Sequence, residues 1–127
     1  MRWMLVGTLM LLGIGTGSVA RATDILAAGA AYGSNDQVTG VCYLFNAGTI
    51  NETVSSIRIY DEVGNAYIVV SGNCGTLLPK RSCRTVARIF SGIAYSCRAL
   101  VSSKINLRGE LEFRDSTGHT ITNLELR

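Results

Sequence analysis

The chain has one histidine, one proline and one tryptophan in 127 residues, and that tryptophan, Trp3, lies almost at its start. A nucleophile–histidine–acid relay needs its imidazole oriented by a third group in a protected site. His119, the sole candidate, sits between Gly118 and Thr120 in what reads as a hairpin tip, where a solvated histidine is expected. No Gly-x-Ser-x-Gly elbow occurs, nor a phosphate-cradling glycine loop ahead of a helix. Beyond residue 22 there is no tryptophan to build the aromatic platforms of a sugar-cleaving cleft. That part also lacks any long apolar stripe at helical spacing. The chain therefore reads as a non-enzyme that requires no cofactor.

An excess of charge of one sign is missing too. Twelve basic residues face nine acidic ones, for a formal charge of +3. Arg2 and Arg21 fall within the first 22 residues, which hold no acid, so the remainder carries a net charge of +1. That balance excludes the many phosphate-facing cations of a nucleic-acid binder. Residues 1–22 have the layout of a secretory address. Met1-Arg2 is a positive head, residues 4–14 form an apolar run broken only by Gly7, Thr8 and Gly13, and Val19-Ala20-Arg21-Ala22 offers small residues at small-x-small spacing. The run is too short to cross a bilayer core of about 30 Å as a helix. A signal-peptide helix over residues 1–22 is expected, with membrane contact only during export and a secreted or periplasmic product. An uncleaved signal anchor is the alternative and would tether the same domain.

Four cysteines, Cys42, Cys74, Cys83 and Cys97, follow the address. An even number in an exported domain reads as two disulfides, and three pairings are open. Cys74 and Cys83 flank a short segment containing Gly75 and Pro79 that can double back. Cys42 and Cys97 each lie inside an apolar, strand-like run, far apart in sequence. The expected bridges are Cys42–Cys97, joining two sheets across a core, and Cys74–Cys83. A four-thiolate zinc site wants two close cysteine pairs, whereas the spacings here are 31, 8 and 13 intervening residues. No metal site is expected.

What the chain does have is alternation with a period of two, interrupted by turns. Residues 23–40, rich in alanine, glycine and small polar residues, read as an N-terminal arm with one edge strand. Strands are expected over 41–45, 54–60, 66–70, 84–90, 95–101, 107–114 and 120–127. In the sixth, Gly109, Leu111 and Phe113 are expected to point inward and Arg108, Glu110, Glu112 and Arg114 outward. Residues 58–65 and 112–119 echo one another as strand, Asp-x-x-Gly turn, strand. In each, the aspartate can accept from turn amides and the glycine can adopt left-handed φ. Calcium would need more carboxylates than either turn offers. Seven or so short antiparallel strands and a cross-core disulfide indicate an all-β, immunoglobulin-like sandwich over residues 41–127. The pattern does not reveal strand order.

Two charge groupings remain. Glu110 and Glu112 share one strand face, as an acid/base pair would, but alternate with Arg108 and Arg114 like a solvated face with cross-strand charge pairing. Lys80, Arg81, Arg84, Arg88 and Arg98 fall within nineteen residues that contain no acid. Cations so placed commonly guard an edge strand against pairing. The sharper reading is a surface for an anionic partner, with Leu77, Leu78 and Pro79 as apolar neighbours on an interaction loop.

The segments Asn46-Ala47-Gly48-Thr49, Ile57-Arg58-Ile59 and Leu77-Leu78-Pro79-Lys80-Arg81-Ser82-Cys83 together resemble a bacterial immunoglobulin-like domain of the ASH type, within the major-sperm-protein-like group. The resemblance covers about residues 40–90. Lys80 stands where that group commonly has glycine, and Cys97 lies outside its motif. It implies a sandwich used for binding or scaffolding, and transfers no functional residue. The expectation is an exported, disulfide-stabilised, non-catalytic binding module with a protein or glycan partner in the cell envelope or extracellular space. A structural subunit of a surface assembly, whose arm over residues 23–40 pairs with a neighbour, and a small secreted enzyme inhibitor are the alternatives.

Overall fold

The computed structural model describes residues 23–67 and 69–127; the expected signal-peptide helix lies outside the described residues. Nine strands follow one another: β1 (Asp24–Ala27), β2 (Thr39–Asn46), β3 (Glu52–Asp61), β4 (Val69–Gly72), β5 (Thr76–Leu77), β6 (Ser82–Arg88), β7 (Tyr95–Val101), β8 (Leu107–Arg114) and β9 (Thr120–Leu126). They form two antiparallel sheets, β1-β7-β3-β5 and β4-β6-β2-β8-β9, packed as a sandwich. The fold is all-β, as the period-two alternation requires. β7 and β8 have the bounds expected from the pattern, and β1, the edge strand expected of the arm, and the two-residue β5 bring the count to nine.

The alternation sets the layers. Cys83, Thr85 and Ala87 of β6 are buried while Ser82, Arg84 and Arg88 are exposed; Tyr95, Cys97, Ala99 and Val101 line the inner face of β7. Leu44, Ile59, Leu111 and Phe113 complete the centre of the core with almost no accessible surface. Cys42 of β2 and Cys97 of β7 are bridged across the two sheets with their Cα atoms 6.4 Å apart. Cys74 and Cys83 are bridged with Cα atoms 5.0 Å apart. Both expected pairings are present, and they point to an oxidising environment. In the chain-entropy picture the first contributes about 4 kcal/mol and the second, which closes a much shorter loop, about 2.6 kcal/mol.

Three elements depart from the sequence reading. The strand expected over 66–70 is divided between sheets: Ala66 forms an isolated bridge with Tyr60 of β3, while Val69 pairs with Ala87 of β6. The N-terminal arm is docked on its own sandwich, with β1 along β7. Its Gln37 is fully buried; Nε2 donates to the carbonyls of Phe90 (2.8 Å) and Ile93 (2.7 Å), and Oε1 accepts from the Gly33 amide (2.8 Å). Glu112, expected to face solvent, is only 8 % exposed. Arg114 grips it with Nε (3.0 Å) and Nη2 (3.1 Å), and the Thr120 hydroxyl donates to it as well. Arg114 Nη2 also donates to the Tyr43 hydroxyl oxygen at 2.7 Å. Burial would raise the Glu112 carboxyl, but the Arg114 and Thr120 hydrogen bonds outweigh it and hold the group below its ordinary value.

The two lateral sides of the sandwich differ. On one, the edge strands β1 and β9 meet: the amide of Ala27 donates to the Arg127 carbonyl and the amide of Arg127 to the Ala27 carbonyl, both at 3.0 Å. On the other, β4 ends the five-stranded sheet and the two-residue β5 ends the four-stranded one. This second side is open.

Candidate functional site

The open side is shaped by a chain that changes sheets twice. The Asp61 turn first holds it on β3. Asp61 Oδ1 accepts from the amides of Val63 (3.1 Å) and Asn65 (2.8 Å), and Gly64 takes φ 90°. The second Asp-x-x-Gly turn repeats the pattern, with Asp115 Oδ1 accepting from Thr117 (2.8 Å) and His119 (3.0 Å) and Gly118 at φ 86°. Both aspartates are held below their ordinary pKa. At Asp115 the Thr117 hydroxyl bond is the leading cause; at Asp61 amide and side-chain hydrogen bonds, chiefly from Asn65, overcome the opposing effect of burial. Shared turn chemistry thus accounts for the sequence echo, and His119 is an exposed member of the second turn.

After the first turn, the Tyr67 amide donates to the Ile59 carbonyl at 2.8 Å. The chain then joins β6 as β4, with a bulge between Val69 and Ser71. Asn73 secures its far end: its amide donates to the Arg84 carbonyl (3.1 Å) and its Oδ1 accepts from the Arg84 amide (2.8 Å). The Cys74–Cys83 bridge follows, and the chain returns to β3 where Gly75 accepts from the Val54 amide at 2.8 Å.

Every residue of β4 is exposed, Val70 at 60 %. Residues 63–79, which contain β4, carry no charge, and residues 63–109 contain no acid. Beside Val70 a depression of about 410 Å³ is lined by Tyr67, Phe90, Ala66, Asn65, Asp61 and Arg88. Phe90 is 64 % exposed and heads a run of edge-to-face aromatic contacts into the core: Phe90–Tyr67 (6.1 Å), Tyr67–Tyr95 (5.1 Å) and Tyr95–Phe113 (6.3 Å). The Tyr95 hydroxyl accepts from the Phe90 amide at 2.8 Å. Burial pushes the Tyr95 phenol up to about 12, so it stays neutral and fixes the loop that presents Phe90.

The structure divides the five cations singled out in the sequence. Arg84 and Arg88 lie on the outward face of β6, next to β4. Lys80 and Arg81 occupy the turn before β6; Lys80 has φ 60°, and its Nζ donates to the Ala47 carbonyl at 2.5 Å. Arg98 lies on the outward face of β7, in the other sheet, directly across from Arg58. The five are therefore not one surface. Nor does β6 lie at an edge, so its arginines stand one strand in from the edge they were expected to guard.

The remaining candidates are tied into the framework. Glu110 accepts from Asn123 Nδ2 at 2.6 Å and Glu112 is held as described, which gives the two carboxylates separate structural partners. Glu52 is buried at the start of β3 and accepts from the Ser102 hydroxyl at 2.5 Å. Asn46, also buried, donates to the carbonyls of Ile50 (2.7 Å) and Leu77 (2.9 Å) and accepts from the Gly48 amide (2.9 Å), fastening β5 to the end of β2. Among the described residues no group of three or more His, Cys, Asp or Glu side chains could hold a metal ion. What sequence reasoning missed was the exposed edge itself; its one signal was the uncharged run over residues 63–79. Comparison with family profiles, curated proteins and solved structures found no match to this chain.

Proposed function

We propose that this chain is an exported, immunoglobulin-like binding module that engages a protein partner of the cell envelope or extracellular space and performs no catalysis. The exposed, uncharged edge of β4 beside the arginines of β6 carries this reading. Edge strands present unpaired amides and carbonyls, and proteins that keep them free usually shorten, charge or cover them. The other edges here follow that practice, with β1 meeting β9 and β5 reduced to two residues. β4 has four residues and no charge, and a bare edge of this kind suits partner recognition. Two disulfides support residence in an oxidising compartment. The framework roles of Glu112, Glu110 and His119 favour binding over chemistry. Docking of β1 in its own sandwich argues against a free arm that pairs with a neighbour.

A photocrosslinking residue placed at Val70, in protein expressed by its own host, tests the reading. A discrete adduct from position 70 and none from Glu125, exposed on β9 at the far edge of the same sheet, is the expected result. Adducts from both positions, or from neither, would overturn it. The intact mass of the exported protein, with thiol labelling before and after reduction, tests the compartment. A species beginning near residue 21 or 23 without free thiol is expected; a full-length species with free thiols would contradict export.

A further inference from the structure

Resting on that reading, we infer that the partner is recognised through an extended acidic segment that adds to the five-stranded sheet as a new edge strand beside β4. The backbone supplies the first half of the argument. β4 pairs with β6 on one side and ends the sheet on the other, so its outer amides and carbonyls are available for a ladder. An incoming strand would sit about 4.8 Å from β4 and about 9.6 Å from β6. A glycan or lipid headgroup cannot complete such a ladder; a peptide can.

Charge supplies the second half. Arg84 and Arg88 are exposed on the outward face of β6 and take part in no ion pair among the described residues. Arg84 stands opposite Asn73, which is bonded to its backbone, and Ser71, opposite Val86 midway between the two arginines, is small and leaves their long side chains room to reach across. Carboxylates on the outward-facing positions of the added strand would meet these guanidinium groups. The alternate positions would be apolar, and a residue at the end near Val70 would cover the depression beside Tyr67 and Phe90.

The same charges disfavour a second copy as occupant. Two β4 edges paired about a two-fold axis would join two strand pairs that contain no acid, each bringing its own Arg84 and Arg88. That juxtaposition of like charge works against pairing. An acidic strand neutralises both arginines.

The test uses a capped seven-residue peptide that alternates valine with aspartate, titrated into the oxidised protein. A valine–lysine counterpart and two N-methylated versions, each blocking one alternate set of backbone amides, complete the series. The acidic peptide should bind and shift the amide resonances of residues 69–72, and the lysine peptide should bind at least about tenfold more weakly. Methylation of the set facing β4 should weaken binding by about tenfold or more, and methylation of the other set should leave it unchanged. Arg84→Glu with Arg88→Glu should reverse the preference between acidic and basic peptides. Equal binding of both methylated peptides would reduce the contact to charge attraction and overturn strand addition. Concentration-dependent dimers abolished by Val70→Lys would assign the edge to a second copy and overturn it as well. If no peptide binds while the crosslinker at Val70 still captures one partner, strand addition falls and the partner-binding reading stands. If neither occurs, both fall.

Discussion

The closed and open sides of this sandwich solve the same problem in opposite ways. Where β1 and β9 meet, two reciprocal hydrogen bonds between Ala27 and Arg127 join the sheets, and Arg127 is ion-paired with Glu125 at 3.4 Å. Behind that edge the Glu112–Arg114–Tyr43–Thr120 network ties β8 to β2 and β9. On the open side a short bulged strand stands alone at the edge, held by β6, Asn73 and the Cys74–Cys83 bridge. On the proposed reading, stability belongs to one side and recognition to the other. Local stability in proteins varies in this way, and binding elements come from the less stable end.

The comparison can be broken at its fastenings. Replacing Cys42 and Cys97 together by alanine removes the bridge that serves both sides, and should lower unfolding stability in urea by about 4 kcal/mol. Replacing Cys74 and Cys83 should cost less, about 2.6 kcal/mol, and should speed amide exchange selectively over residues 69–77. Equal losses of protection across both sheets would show that the second bridge does not serve the open side in particular.

The closed side should also have its own pH dependence. Glu112→Gln leaves Arg114 with a weaker acceptor and should cost about 1–3 kcal/mol at neutral pH, measured by urea unfolding. Because the folded pKa of Glu112 lies below its unfolded value, its contribution is complete above the unfolded pKa, about 4.3. It is lost as pH falls through the depressed folded value. The variant should therefore lack this part of the acid-induced loss, and its stability should approach that of the parent as pH drops. A gap between the two that stays constant from pH 7 to pH 2 would contradict the assignment.

Side-chain changes on the exposed face of β4, away from its fastenings, should be nearly silent in stability. Val70→Lys should change unfolding stability by no more than about 0.5 kcal/mol while abolishing the adduct made from a crosslinker at Phe90. A large destabilisation would mean that β4 belongs to the core instead. The smallest effect is expected at Lys80. Lys80→Gly relieves a non-glycine residue at φ 60° but gives up the hydrogen bond to Ala47 and adds chain entropy, so a net change within about 1 kcal/mol is expected by thermal unfolding.

Much of the fold was legible because half-buried strands record burial in alternate residues. The inner rows of β7 and β8 could be read from Tyr95 to Val101 and from Gly109 to Phe113, and the expected cysteine pairing followed from the turn between Cys74 and Cys83 and the strand-like runs around Cys42 and Cys97. The sheet change between Ala66 and Val69 left no such record. An apolar run has the same period whether it pairs with β3 or with β6, and only a long-range choice separates the two. Gln37 and Asn46 were invisible for a related reason, since each is buried to satisfy carbonyls distant in sequence, such as Phe90 and Leu77. Glu112 has the outward phase of its strand and is covered by Arg114 and Thr120, which no local pattern encodes. The basic cluster was legible as composition and not as a surface, because β6 and β7 lie in different sheets.

Amide hydrogen exchange in the free, oxidised protein tests the asymmetry most directly. Rapid exchange over residues 69–72, with slow exchange at Ala27 and along β8 and β9, is the result this account predicts. Protection of residues 69–72 equal to that of β9, or exchange at Ala27 as fast as in β4, would contradict it.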